Sequence, residues 1–371
     1  MKRKFIALAL TLVMATGLVA CGGSGEKSGD GTTSASKSDL KVGMITDSGT
    51  IDDKSFNQGT WEGIEQAEKE LGIAKPKYLQ PKGQKEADYL KEISNQYEAG
   101  NKFMVTPGFK FETAIYKAQE KYKDAKFVIL DGNPHSGDSK PVVADNTVSI
   151  FFAEHESGFL AGVASAVEMQ KGNFGFIGGM KIPAVQKFNW GFQQGVKYAN
   201  EKLGTKITIK KENVIYEGSF NNTAGGQQIA ASMYDRGVDV IFTAAGGTGV
   251  GAITEAKSRA KKGNKAWVVG VDVDQYSEGI YKDKDGNEKS VILTSAIKNI
   301  KKSTFDMIKD ETEGKFQGGK TLIYDAKNDG VGLPEKNPNL SEKAVKAAND
   351  AFAKMKAGEI KVSDKQGKLL E

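Results

Sequence analysis

The chain has 371 residues, 27% of them charged, a formal net charge of +5 and a single cysteine. Three cations, Lys2, Arg3 and Lys4, open the chain with no acid among the first twenty residues, so the remainder carries a charge near +2, with lysines scattered among acids; that is not a nucleic-acid-binding balance. One cysteine excludes a disulfide within the chain, and beyond residue 20 no apolar run reaches the roughly 18 residues that a membrane span needs.

Residues 1–20 read as an export signal: a basic head, an apolar run over 5–14, then small residues leading into Leu18-Val19-Ala20-Cys21. This fits the bacterial lipobox, in which the cysteine sulfur takes a diacylglyceryl group and cleavage leaves Cys21 as the mature N-terminus. Two acyl chains hold a protein on a membrane, whereas one is marginal. The alternative is an ordinary secretory signal with a chance cysteine; a cysteine directly after Leu-x-x, with no other in the chain, favours lipidation. Residues 22–38 (GGSGEKSGDGTTSASKS) form a Gly/Ser/Thr linker, expected as a stalk after Cys21. The roughly 330 residues that follow are enough for two domains.

That body alternates short apolar runs with amphipathic stretches, the pattern of a doubly wound α/β protein. Strands are expected at 41–46, 102–106 and 126–130, with helices over 61–71 and from about 111. A strand over 147–152 precedes a second cycle. Its helices are expected at 154–169, 183–203, 223–236 and 249–262, with strands at 174–177, 207–215, 239–243 and 266–271. A strand at 291–295, a helix at 301–313, a strand at 321–324 and a polar helix at 341–356 complete the chain. The spacing Gly158-x-x-x-Gly162 reads as close helix packing in a core. No internal sequence repeat is visible.

Three of these strands stop on aspartate: Asp47, Asp131 and Asp272. In open α/β sheets ligands bind beyond the carboxyl ends of the strands. One aspartate after a strand is a common turn or capping residue. Three at equivalent strand ends point to a shared cleft. Ionised carboxylates there suit hydroxyl-rich or amine-bearing ligands, because each oxygen accepts charge-assisted hydrogen bonds. The run Ala244-Ala245-Gly246-Gly247-Thr248-Gly249 follows another strand and lets a ligand approach backbone N–H groups at a helix start. It lacks the G-x-G-x-x-G spacing of a dinucleotide fingerprint.

Two patterns are decoys. Residues 314–321 (GKFQGGKT) fit the Walker A consensus, but a helix precedes them and a strand follows, the reverse of a phosphate loop. Residues 47–53 (DSGTIDD) are similar to the calcium site of nucleoside hydrolases, yet two ligand positions fail. Asp52 and Asp53 are better read as helix-start acids. His135 and His155, the only histidines, form neither a metal-spaced pair nor a nucleophile partnership. The reading is therefore a binding protein with no metal, no cofactor and no catalytic residue.

The segment 46–64 (TDSGTIDDKSFNQGTWEGI) resembles the start of the basic membrane protein family, substrate-binding lipoproteins of ABC importers that include purine nucleoside receptors. Similarity continues in FFAEHESGFLAG (151–162), AGGTGVG (245–251), GVDVDQ (270–275) and TSAIK (294–298). The resemblance implies a type I periplasmic-binding-protein fold: two Rossmann-like lobes, joined by three crossover segments, clamping a ligand. It implies that Phe56 and Phe220 sandwich a base, that Asp47 meets the base edge, that Asn57 is among the ligand-binding residues, and that Asp272 and Lys298 meet ribose hydroxyls. Gly246 or Gly247 supplies backbone groups, and Asp131 stands at the ribose side. Asn221-Asn222 replace an aspartate common in the family, and Ser48 stands where some nucleoside receptors have Asn. Phe109 and Phe111 are candidates for core or cleft alike, whereas Phe188 and Trp190 are expected to pack the second lobe.

The expected layout is a first lobe of 39–150 with 291–316 and a second of 151–290 with 317–371. Hinges are expected near 146–152, 286–295 and 314–324. The expected function is capture of a nucleoside, most simply a purine nucleoside, by a lipid-anchored extracytoplasmic monomer, and its delivery to a membrane permease. The alternatives are a receptor for a free sugar or other polar metabolite, and a nucleoside hydrolase.

Overall fold

A computed structural model describes residues 38–370; the export signal, Cys21 and the linker to residue 37 lie outside the described residues. In chain order the first half runs β1 (Val42–Ile45), α1 (Phe56–Leu71), β2 (Lys77–Leu79), α2 (Glu86–Glu98), β3 (Phe103–Pro107), α3 (Glu112–Lys121), β4 (Lys126–Leu130) and β5 (Thr147–Phe152). There follow α4 (Glu154–Met169), β6 (Lys171–Gly178), α5 (Pro183–Lys202), β7 (Lys206–Tyr216), α6 (Thr223–Asp235), β8 (Val240–Ala244), α7 (Gly247–Lys261) and β9 (Trp267–Asp272). The last part comprises β10 (Ile280–Lys282), β11 (Glu288–Ser290), β12 (Ile292–Lys298), α8 (Ile300–Thr312), β13 (Lys320–Tyr324), β14 (Val331–Gly332) and α9 (Glu342–Lys356).

Two six-stranded sheets result, ordered β13-β5-β4-β3-β1-β2 and β14-β12-β9-β8-β6-β7. All pairings within them are parallel except β12 with β14. The two lobes thus share one strand order without a visible sequence repeat, and β4 and β9 occupy equivalent places. Parallel strands are covered by helices on both faces and need apolar residues on both. Accordingly β1, β3 and β8 are buried at every position.

Chain crossings between lobes fall at Ala153 (β5 to α4), Asn299 (β12 to α8) and residues 325–330 (β13 to β14). The crossings are stitched together. Ala153 N–H donates to the Tyr324 carbonyl at 2.9 Å and Asn299 N–H to Gly330 at 2.8 Å, and Ala326 N–H donates to Glu156 Oε2 at 2.7 Å. These positions differ from the expected lobe boundaries. Strand β12 joins the second sheet and β13 the first, the reverse of the assignment of 291–316 and 317–371. Local pattern marks a strand, but hydrogen bonding to a distant edge decides its sheet. The expectation also omitted α2, β2 and the β10–β11 hairpin, which are short or largely polar.

Helices α4 and α5 meet backbone to backbone. A Cβ on Gly158 or Gly162 would lie 2.3 or 2.4 Å from the Phe188 or Phe192 carbonyl oxygen. A Cβ on Gly191 or Gly195 would lie 2.0 or 2.1 Å from that of His155 or Phe159. The glycine spacing read in α4 has its counterpart in α5, and the contact fixes the start of α5 beside the interlobe cleft.

Candidate functional site

The cleft between the lobes lies at the carboxyl ends of both sheets, where ligands bind in open α/β folds. Its walls include Asp47, Phe56, Asn57, Asp131, Phe220, Gly246, Asp272 and Lys298. Gly247 stands just behind, at the start of α7, where a Cβ would come 3.1 Å from the Phe220 carbonyl oxygen.

Asp47 follows β1. Its Oδ1 accepts from Gly49 N–H and from Asn57 Nδ2, each at 2.9 Å. Asn57 also donates to Asp53 Oδ2 at 2.9 Å and accepts from Asp47 N–H at 3.3 Å. Its amide therefore holds Asp47 rather than standing free. Asp53 takes the N–H groups of Ser55, Asn57 and Gln58 at 2.9–3.1 Å and so caps α1, as its reading as a helix-start acid requires. Burial pushes the carboxyls of Asp47 and Asp53 above their ordinary pKa against these hydrogen bonds. Gly108, at φ +116°, passes so close to Asp47 that a Cβ would lie 3.1 Å from Asp47 Cβ, a place and conformation suited to glycine.

Phe56 is the first residue of α1 rather than a loop residue, because the Asp53 cap starts the helix there. Phe220 sits in the turn between β7 and α6 and packs its ring on Gly179, where a Cβ would lie 2.4 Å from Phe220 Cδ1. Thr248 fixes that turn, donating from N–H to the Phe220 carbonyl at 3.1 Å and from Oγ1 to the Ser219 carbonyl at 2.9 Å. Asn222 caps α6 through Gly225 N–H at 3.0 Å, and Asn221 donates across the cleft to the Ser48 carbonyl. Phe109 joins the cleft wall with Ile182, Val185 and Phe188. Phe111 is instead fully buried, its ring centroid 4.5 Å from that of Tyr89. Phe188 thus serves both the second core and the cleft.

Asp131 and Asp272 end the equivalent strands β4 and β9, and both take left-handed backbone, at φ +57° and +65°. Aspartate is among the few non-glycine residues that tolerate this conformation. Lys298, at the end of β12, pairs with Asp131 Oδ2 and lies 3.2 Å from Glu154 Oε1. Its Nζ lies 4.9 Å from the Phe56 ring centroid and 4.8 Å from that of Phe152. Burial disfavours the ammonium, but Asp131, Glu154 and Asp272 outweigh it, and its pKa is held up. Burial pushes Asp272 up to about 6, with Lys298 and the Ser55 hydroxyl opposing. Asp131 Oδ1 is buried without a hydrogen-bond partner.

Glu154 and Ser55 were not predicted. Glu154 opens α4 at 1% exposure, and burial drives its carboxyl above its ordinary pKa despite Lys298. The available signal was an acid at the head of an otherwise apolar helix. Ser55 carried none: it resembled any serine beside a helix start.

Residues 40–366 match the family described as ABC transporter substrate-binding protein PnrA-like, almost the whole described chain. The chain belongs to this family. Relatives bear this out along their full length. The chain is 36% identical to a CD4+ T-cell-stimulating antigen of Listeria innocua, over 98% of this chain and 100% of that protein. It is 34% identical to the ABC transporter nucleoside-binding protein BmpA of Lactococcus lactis, over 94% and 97%. In fold it resembles an ABC transporter solute-binding protein from Aeropyrum pernix, with a TM-score of 0.72 at 24% identity, over 88% and 94% of the two chains. The fold is that of the type I periplasmic binding proteins, and the family is one of substrate-binding proteins rather than enzymes.

Proposed function

We propose that this member of the family captures a nucleoside, in the first place a purine nucleoside, and presents it to a membrane permease. The observation that carries the reading is the division of one cleft into two chemistries. Phe56 from one lobe and Phe220 from the other line it together with Phe109, Ile182 and Val185, while Asp131 and Asp272 line it with carboxylates, Asp131 Oδ1 buried without a partner and Asp272 Oδ2 held by the Ser55 hydroxyl. A flat base has two faces for rings, and a ribose has hydroxyls for carboxylates. The name of the Lactococcus relative supports the same class of ligand. Asp47 then meets the base edge with its remaining oxygen, and closure is driven by contacts to both lobes at once.

The lipobox at Cys21 places the receptor on the outer face of the cytoplasmic membrane, as a tethered monomer. No described helix is long and apolar enough to cross a membrane. Two measurements test the proposal. Calorimetry against adenosine, guanosine, inosine, cytidine, uridine, adenine and ribose should give tight binding to purine nucleosides and little heat with ribose. Binding of ribose alone, or of none of them, overturns the ligand class. Mass spectrometry of the membrane-extracted protein should find a diacylglyceryl group on Cys21; a soluble form cleaved elsewhere overturns the anchor.

A further inference from the structure

We propose that Ser55 is a positioning residue for ligand hydroxyls, one half of a reciprocal exchange in which each lobe steadies the other lobe's strand-end aspartate. The inference rests on the nucleoside reading above and concerns how that site is assembled. Asp131 belongs to the first lobe, and its Oδ2 is taken by Lys298 from the second. Asp272 belongs to the second lobe, and its Oδ2 is taken by the Ser55 hydroxyl from the first. The two aspartates end equivalent strands and share the same left-handed backbone. Each keeps its Oδ1: that of Asp131 is buried without a partner, and no described residue donates to that of Asp272.

A carboxylate with one free oxygen accepts a hydroxyl best when the other oxygen is fixed. Ser55 is itself fixed. Its side chain is buried at 1% exposure, and its N–H donates to Asp53 Oδ1 at 2.9 Å. The preceding carbonyl, of Lys54, accepts from Gln275 Nε2 of the second lobe at 2.6 Å, and Gln275 in turn accepts from Val271 N–H at 3.1 Å. The hydroxyl therefore reaches Asp272 only when the lobes are closed. Closure then orients the very oxygen that receives the ligand, which couples binding to closing without a moving part beyond the hinge.

The test is a cycle between protein and ligand. Full-length wild type, Ser55→Ala and Ser55→Thr are titrated with adenosine, 2′-deoxyadenosine and 3′-deoxyadenosine. Wild type should favour adenosine over at least one deoxy analogue by about tenfold, the scale of a hydrogen bond to a charged group. In Ser55→Ala that preference should shrink severalfold, and Ser55→Thr, which keeps a hydroxyl, should retain it. A role in folding alone would weaken all three ligands equally and leave the ratios unchanged. Unchanged ratios in Ser55→Ala overturn the proposal, as does a wild type that binds adenosine without discriminating either analogue; in both cases the nucleoside reading survives. Failure of wild type to bind any of the three overturns both. Ser55→Cys, close in shape but a weak donor, should reproduce the narrowed ratio and serves if Ser55→Ala does not fold.

Discussion

Phe220 offers its ring from a turn that Thr248 and Gly179 hold in place, so its removal leaves the fold largely intact. Stacking is worth about 1–3 kcal/mol per base in nucleic-acid systems, so Phe220→Ala should weaken nucleoside binding by about 5- to 150-fold in calorimetry, with the melting temperature of the free protein little changed. Asp272 supplies a pH response with two signs. Its folded-state pKa is raised from 3.8 to about 6, mainly by burial. Between those values the folded protein holds a proton that the unfolded chain has lost, so the stability of the free protein falls as pH rises through that window. Ligand affinity moves oppositely, because hydroxyls need the ionised carboxylate, and should drop as pH falls through about 6. Glu154, also raised by burial, acts on stability in the same direction at higher pH. Glu154→Gln should flatten the decline of melting temperature between pH 5 and 8; an unchanged slope would assign that decline elsewhere.

Among the elements, α4 and α5 matter most to the site, since the start of α5 forms one cleft wall. Their contact allows no side chain at four glycines. Gly191→Ala would force a Cβ to 2.0 Å from the His155 carbonyl oxygen, and the helices must separate. Overpacking of this kind costs about 1–3 kcal/mol, so the melting temperature should fall by several degrees, and affinity should fall with it as Ile182 and Val185 shift. Loss of stability with unaltered affinity would show that the cleft wall is insulated from this contact. The Walker-like run 314–321 shows the opposite lesson. It links the end of α8 to β13, helix before strand, so the run does not open a helix as a phosphate loop does.

For the whole molecule, closure brings segment 48–59 against segment 221 and 271–278 through direct contacts: Ser55 to Asp272, Gln275 to Lys54, Asn221 to Ser48, and Lys54 to Glu278 at 3.8 Å. All four run directly between protein groups of the two lobes. Gln275→Glu keeps the acceptor for Val271 but replaces the donor to Lys54 with an acceptor. Small-angle scattering should find this variant more expanded than wild type without ligand, and ligand should restore compaction. A ligand present at 100 times its Kd should also raise the stability of wild type by about 2.7 kcal/mol.

Much of this architecture is local and was legible in residue order. Strand and helix alternation, the aspartates at strand ends and the α4 glycines of a close helix contact all follow from periodicity and from what each residue type tolerates. Asp47, Asp131, Gly246 and Asp272 were named from strand ends, Phe56, Asn57, Phe220 and Lys298 from the family resemblance, and the fold brings them to one cleft. Three matters belonged to tertiary structure alone. These are the sheet that β12 and β13 join, the crossing points at Ala153, Asn299 and 325–330, and the use of each aspartate oxygen, including the roles of Ser55 and Glu154. Each depends on a partner in another element, from some thirty residues away for Asn299 and Gly330 to 217 for Ser55 and Asp272, and periodicity along a chain carries no information about which hydrogen-bond donor from elsewhere will satisfy a buried acceptor.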